Sequence, residues 1–195
     1  SVRSGEFFRL EPLVELCRTL RDSGGTLHLL GLLGAGGVHA IDTHLLAAVE
    51  AAVRLEVPRI AIHGFLDGRD SAPTSGAGVV QRLQADLARI AGSRAVIASL
   101  TGRYFAMDRD QRWDRTRLAY DAMVRSVGRA ESDPVQAVRD AYSRGETDEF
   151  VRPIVLERGG VPVAPIRNGD GIFCFNYRSD RMRQICRALA IDGDR

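Results

Sequence analysis

Apolar residues recur along the chain with two alternating periods. Leu10, Leu13, Val14, Cys17 and Leu20 fall at three- and four-residue intervals, the spacing of one helix face, and Gly24-Gly25 stops the pattern. Thr26 to Leu33 is then a continuous apolar run of strand length. The pair repeats. Leu45, Leu46, Val49, Ala52 and Val53 mark a helix to about Leu55, and Arg59 to Phe65 is a second strand. Ser71 and Pro73 predict the start of a helix that runs to about Ile90, with Gly92 as its end. Ala95 to Leu100 is a third strand. A helix with Trp113, Tyr120, Met123, Val124 and Val127 on one stripe follows and stops at Gly128.

The last third is more varied. Asp133-Pro134 predicts a helix with Asp as cap and Pro in its first turn; Val135, Val138, Ala141 and Tyr142 form its stripe and Gly145 ends it. Phe150 to Leu156 and Val161 to Ile166 flank Arg158-Gly159-Gly160, the signature of a hairpin. Ile172 to Asn176 reads as another buried strand. Met182, Ile185, Cys186 and Leu189 give a final helix. This alternation predicts an α/β fold: a mostly parallel central sheet with helices on both faces, plus a small β-hairpin near 150–167. Its length suits one domain over 1–195.

Right-handed crossovers bring the carboxyl ends of parallel strands to one edge, where α/β folds bind ligands. Four predicted loops meet there. They carry His39, then Arg69 and Asp70, then Arg103 and Arg109, then Arg178 and Arg181. The guanidinium fork matches phosphate and carboxylate, so the gathering points to a small anion. Arg178 and Arg181 stand where a strand turns into a helix, beside free backbone N–H groups. His39 is expected at a helix N-terminus, a position that suits a neutral imidazole able to exchange a proton or bond a hydroxyl. Blander readings compete. The stretch Thr101 to Arg115 can be stapled by its own Arg–Asp pairs, Asp180 can neutralise both Arg178 and Arg181, Asp70 can cap the next helix, and His39 can be a solvated cap. His28 is read as a core or sheet-face histidine with a partner.

Composition narrows the classes. Hydrophobic residues make up 45% and charged residues 27%, ordinary for a soluble globular chain. The net charge of +2 calls for neither nucleic acid nor an acidic membrane. All 27 basic residues are arginine, so an arginine counts only by position. No apolar run is long enough to span a bilayer, and no leader peptide opens the chain. Its ends fall inside helical patterns, as expected of a piece of a larger protein. Cys17, Cys174 and Cys186 have no metal-like spacing, and an odd count suits a reducing cytoplasm. Gly34-Ala35-Gly36-Gly37 invites a dinucleotide reading, but His39 stands where the third Gly of G-x-G-x-x-G belongs. Neither a metal motif nor a Ser–His or Cys–His nucleophile pattern is present.

Longer motifs carry a resemblance. GGVH at 36–39, HGFLDGRD at 63–70, TGRYFAMDRDQRWDR at 101–115, SRGETDEFVRPIV at 143–155 and FNYRSDRMRQ at 175–184 resemble the cofactor-independent phosphoglycerate mutase family. That family has two domains. An alkaline-phosphatase-like domain carries two manganese ions and a nucleophilic serine; a second, inserted into it, binds phosphoglycerate. The chain is similar to the inserted domain alone. The resemblance therefore implies no metal and no covalent nucleophile here, with Mn2+ expected in the flanking domain. It implies that His39, Arg69, Asp70, Arg103, Arg109, Arg178 and Arg181 contact 2- or 3-phosphoglycerate, with His39 and Asp70 near the hydroxyls as a possible proton relay. A cytoplasmic monomer in contact with the metal-binding domain is expected, without nucleic acid or membrane. The alternative is a stand-alone module that binds a small phosphorylated acid without turnover. One departure from the family pattern is local: Gly34-Ala35 and Ala40-Ile41 stand where it usually has Ser-Asp and Ser-His.

Overall fold

The structure is a computed structural model that describes residues 6–34 and 36–190. Helix α1 (Glu11–Ser23) leads into strand β1 (Thr26–Leu32), and Gly24 ends the helix in the left-handed region at φ 74°. The chain then alternates through α2 (Asp42–Arg54), β2 (Arg59–Leu66), α3 (Gly76–Ala91) and β3 (Ala95–Gly102). A single turn, α4 (Arg103–Ala106), and α5 (Trp113–Val124) follow, then β4 (Arg129–Glu131) and α6 (Pro134–Ser143). The rest comprises β5 (Ile154–Arg158), β6 (Val161–Pro162), β7 (Gly171–Cys174) and α7 (Arg183–Ala190).

The main sheet runs β4-β5-β3-β2-β1-β7. Strands β7, β1, β2 and β3 are parallel, so their carboxyl ends share one edge as expected. Every residue of β1 is buried, which requires cover on both faces. The helices form two packed groups, α2 with α3 and α3 with α6, and separately α5 with α7. The predicted hairpin is present, with β6 antiparallel to β5. It is not an appendage, because β5 also pairs antiparallel with β3 and so belongs to the main sheet. No described helix is long and apolar enough to cross a membrane.

Three local expectations need correction. Helix α3 starts at Gly76 rather than at Ser71 or Pro73. Its first amide is capped from far along the chain, by Asp148 Oδ2 at 2.8 Å, while Pro73 gives its carbonyl to the Asp148 amide. The tertiary cap overrides the local start signal. The α5 stripe is also rotated. Its buried face is Thr116, Ala119, Ala122 and Met123, whereas Trp113 is 41% exposed and Val127 lies beyond the helix end. Finally, β7 is a half-buried edge strand, paired only with β1 in the described sheet.

A chain of polar side chains crosses the buried sheet. Asp170 Oδ2 accepts from His28 Nε2 (3.1 Å), His28 Nδ1 meets His63 Nε2 (2.9 Å), and His63 Nδ1 meets Ser99 Oγ (2.7 Å). The carboxylate fixes the direction. Nε2 of His28 must carry the proton, so its Nδ1 accepts from His63, and His63 Nδ1 in turn accepts the Ser99 hydroxyl proton. Both imidazoles are neutral. Burial holds each below its ordinary range, against the opposing pull of Asp170 for His28 and with added repulsion from His28 for His63. As pH falls through about 6.5 the unfolded chain binds these protons and the folded chain does not. Stability is therefore full above that pH and declines below it, by about 1.4 kcal/mol per pH unit for each histidine. Urea unfolding from pH 7.5 to 5.5 is expected to show a falling midpoint. A flat profile would mean that both rings protonate inside the fold.

Candidate functional site

Four loops leave the carboxyl edge of β1, β2, β3 and β7, and Arg103 joins three of them. It is the first residue of α4 and only 4% exposed. Its Nη1 donates to Asp67 Oδ1 and Asp70 Oδ2, each at 2.6 Å, and its Nη2 donates to His39 Nε2 at 3.0 Å. Asp67, itself buried, also accepts the amides of Arg69 (3.3 Å) and Asp70 (3.1 Å), shaping the turn after β2. Gly68 makes that turn possible. It sits at φ 62°, and a Cβ there would lie 2.7 Å from the Glu149 amide.

His39 is neither solvated nor a helix cap, so the blander of its two readings does not hold. It is 3% exposed, three residues before α2, whose N-cap is Ile41. Its carbonyl accepts from the amides of Tyr177 (3.0 Å) and Arg178 (3.4 Å), tying the first loop to the fourth. The Tyr177 hydroxyl adds a bond to the Gly37 carbonyl. A guanidinium can only donate, so His39 Nε2 is an acceptor and the ring proton sits on Nδ1. Burial, then repulsion from Arg103 and Arg178, keeps the ring below its usual range and neutral. Nδ1 is buried and has no hydrogen-bond partner. Asp70 does not cap α3, which begins six residues later. The bond from Arg103 holds its carboxyl below the ordinary range, with Oδ2 3.7 Å from His39 Nε2.

The remaining arginines line the outer rim. Arg109 and Arg178 both reach Asp180, at 3.0 and 2.8 Å. Asp180 thus neutralises Arg178 as the blander reading had it, but its second partner is Arg109 and not Arg181. Arg69 touches Glu149 at 3.5 Å. These half-exposed pairs hold weakly, each contributing about 0–1 kcal/mol, and are open to exchange with a ligand. Arg181 differs. Its Nη1 lies 3.4 Å from the Met107 carbonyl, and its Nε is buried without a partner. Burial and the charges of Arg109, Arg103 and Arg69 all disfavour its protonated form. Asp180 pulls the other way, but it pairs with Arg109 and Arg178, and the Arg181 Nε donor stays unpaired.

All seven residues singled out from the sequence therefore lie on this edge. Arg115 is drawn elsewhere, to Asp108 at 3.4 Å and over the Tyr104 ring at 3.9 Å, so the stapled-loop reading holds for that part of Thr101–Arg115. The sequence reading missed Asp67, Glu149 and Tyr177. Asp67 had a signal: an acid directly before Gly-Arg-Asp at the end of an apolar strand. Ala40 is buried in the core, and Ala35 lies outside the described residues. Among the described residues no group of three or more His, Cys, Asp or Glu side chains is placed to hold a metal ion. The described residues therefore offer no manganese site.

Fold and site together define an α/β domain that gathers guanidinium groups and a neutral imidazole at the carboxyl edge of a parallel sheet. The sequence pattern of the BPG-independent PGAM N-terminus family matches residues 1–194, and the chain belongs to that family. It is 44% identical over 194 residues to the 2,3-bisphosphoglycerate-independent phosphoglycerate mutase of Thermomicrobium roseum, covering 99% of this chain and 37% of that protein. The enzymes of the same name from Moorella thermoacetica and Nitratidesulfovibrio vulgaris are 47% and 48% identical, over 100% and 99% of the chain. The chain spans 37% of the length of each of these relatives. A crystal structure of Leishmania mexicana phosphoglycerate mutase at low cobalt concentration superposes with a TM-score of 0.92 at 31% identity, covering 98% of this chain and 36% of that one.

Arg103→Ala is expected to destabilise the chain by about 3–5 kcal/mol in urea unfolding, because it strands the buried Asp67 carboxylate. A loss below 1 kcal/mol would show that water, not Arg103, satisfies that acid.

Proposed function

We propose that this chain is the phosphoglycerate-binding domain of a phosphoglycerate mutase that interconverts 3-phosphoglycerate and 2-phosphoglycerate. The observation that carries the reading is the pair of buried, unpartnered donors, His39 Nδ1 and Arg181 Nε, on one guanidinium-rich edge built from sequence-distant loops. A small acid ester supplies what they lack. Its phosphate and carboxylate oxygens accept from Arg69, Arg109, Arg178 and Arg181, displacing Glu149 and Asp180 from weak surface pairs. A ligand oxygen accepts from His39 Nδ1–H. Arg103 keeps that ring neutral and in the right tautomer, and fixes Asp70 beside the hydroxyls as a proton acceptor.

The covalent chemistry belongs outside this chain. In the reading that the family supports, a flanking phosphatase-like domain holds manganese and a serine that accepts the phosphoryl group. The domain described here retains glycerate while the two hydroxyls exchange places, then presents the second one. Holding glycerate through that step demands several simultaneous contacts from rigid loops, which the Arg103 hub provides. The whole protein works in glycolysis in the cytoplasm, with this domain and its metal-binding partner in one monomer.

Titration calorimetry of the chain with 3-phosphoglycerate tests the binding half. Saturable binding is expected, and Arg181→Gln is expected to weaken it about tenfold or more, the worth of one or two charge-assisted hydrogen bonds. The same substitution leaves the unfolding midpoint unchanged or raised, because it relieves repulsion from Arg69, Arg103 and Arg109. Undiminished affinity in Arg181→Gln would remove that residue from the pocket. The chain alone, supplied with manganese, is expected to show no mutase turnover, and measurable conversion would place the nucleophile inside it.

A further inference from the structure

Two of the three cysteines meet across the base of the fourth loop. Cys174 ends β7, Cys186 lies in the first turn of α7, and their Sγ atoms stand 3.5 Å apart. Both are partly exposed, whereas Cys17 is fully buried and its thiol is pushed up to about 11 by burial. A disulfide needs the sulfurs roughly 1.5 Å closer than they are, a movement that β7 and α7 must share. The hydrogen bond between the thiols couples them, favouring the thiolate on Cys186 and disfavouring it on Cys174. A thiolate on Cys186 is the form that attacks an oxidant.

The position of this pair gives it leverage. The residues between the two cysteines include Arg178, Asp180 and Arg181. The first turn of α7 is also bolted to the neighbouring loop. Gln184 Nε2 donates to Asp108 Oδ2 (3.0 Å) and Thr116 Oγ1 (2.5 Å), and its Oε1 accepts the Gln111 amide at 3.1 Å. Arg109 lies in that loop. Whatever moves α7 therefore moves guanidinium groups on two sides of the rim.

We infer that Cys174 and Cys186 form a peroxide-responsive dithiol whose closure to a disulfide displaces the first turn of α7 and, with it, Arg109, Arg178 and Arg181. The chemistry balances in two steps. The Cys186 thiolate attacks hydrogen peroxide, an S–O bond forms as the O–O bond breaks, and hydroxide leaves; sulfur is oxidised and peroxide reduced. The Cys174 sulfur then attacks the sulfenic acid, the S–O bond breaks, and its oxygen departs as water with the thiol proton. A dithiol reductant reverses the change. The consequence for phosphoglycerate rests on the function proposed above.

The test uses the reduced 195-residue chain with a few equivalents of hydrogen peroxide. Intact mass is expected to fall by two hydrogen atoms, and peptide mapping to join Cys174 to Cys186, with Cys17 alkylated only after denaturation. Trp113 emission is expected to change, because Arg187 of α7 lies over that ring at 6.0 Å. The Kd for 3-phosphoglycerate is expected to rise about tenfold, as an ångström-scale misplacement of positioning groups implies, and dithiothreitol to restore it. Cys186→Ser binds like the reduced chain and shows none of the peroxide-dependent changes. Cys174→Ser stops at a sulfenic acid that dimedone traps. Separately alkylatable Cys174 and Cys186 after peroxide, a link through Cys17, or a 174–186 link that leaves Trp113 emission unaltered would each overturn the inference. If the reduced chain binds no 3-phosphoglycerate, the proposed function fails, while mass and emission still decide the dithiol.

Discussion

A single guanidinium group sets the geometry of the whole rim. Arg103 is almost fully buried, yet it is held by two carboxylates and an imidazole that come from two other loops. A buried cation costs several kcal/mol in desolvation, and that cost is offset only when geometry is good and the donors are used. The side chain thus tolerates few arrangements of the β1, β2 and β3 loops. In return it selects one tautomer of His39, keeps Asp70 ionised, and closes the turn around Asp67. Of the outer arginines, Arg69, Arg109 and Arg178 have no such constraint. They sit in half-exposed, exchangeable pairs, which divides the edge into a rigid inner layer and an adaptable outer one.

The sheet was readable because its signals are redundant. Continuous apolar runs such as Thr26–Leu33 and Ala95–Leu100 have one structural meaning when helical periods separate them, and topology then places their ends together. The candidate residues followed from that placement and from the family motifs. What was not readable depends on contacts distant in sequence. Asp148 caps α3 from far along the chain, so the Ser71–Pro73 signal pointed too early. Asp180 chose Arg109 over Arg181, which no spacing rule anticipates. The amides of Tyr177 and Arg178 come to the carbonyl of the buried His39, a contact made by the loop after β7, far along the chain. Helix α5 misled for a different reason: Thr116, Ala119 and Ala122 share the inward face with Met123, so Trp113 of the predicted stripe is left outside.

Family membership and geometry bear on different questions. The matched pattern covers the chain from end to end, while the chain spans just over a third of its relatives, so chemistry that needs a metal or nucleophile is sought in the remainder. The geometry explains why a separate domain is useful. In the function proposed above, an edge that binds an anion through several loops must be rigid, whereas a partner that gives and takes a phosphoryl group must approach and withdraw. Placing the two on different scaffolds lets each satisfy its own requirement.

The line from Ser99 through His63 and His28 to Asp170 has an effect that reaches back to folding. Each link donates in the same direction, and each comes from a different segment, β3, β2, β1 and the turn before β7. Sliding β1 or β2 by a single residue turns its histidine to the opposite face and leaves two neighbours without a mate in a dry interior, and sliding β3 leaves one. Parallel strands of near-uniform apolar character have little else to distinguish one alignment from the next. The polar thread works as a key cut across four tumblers: only the native alignment lets all of them engage at once.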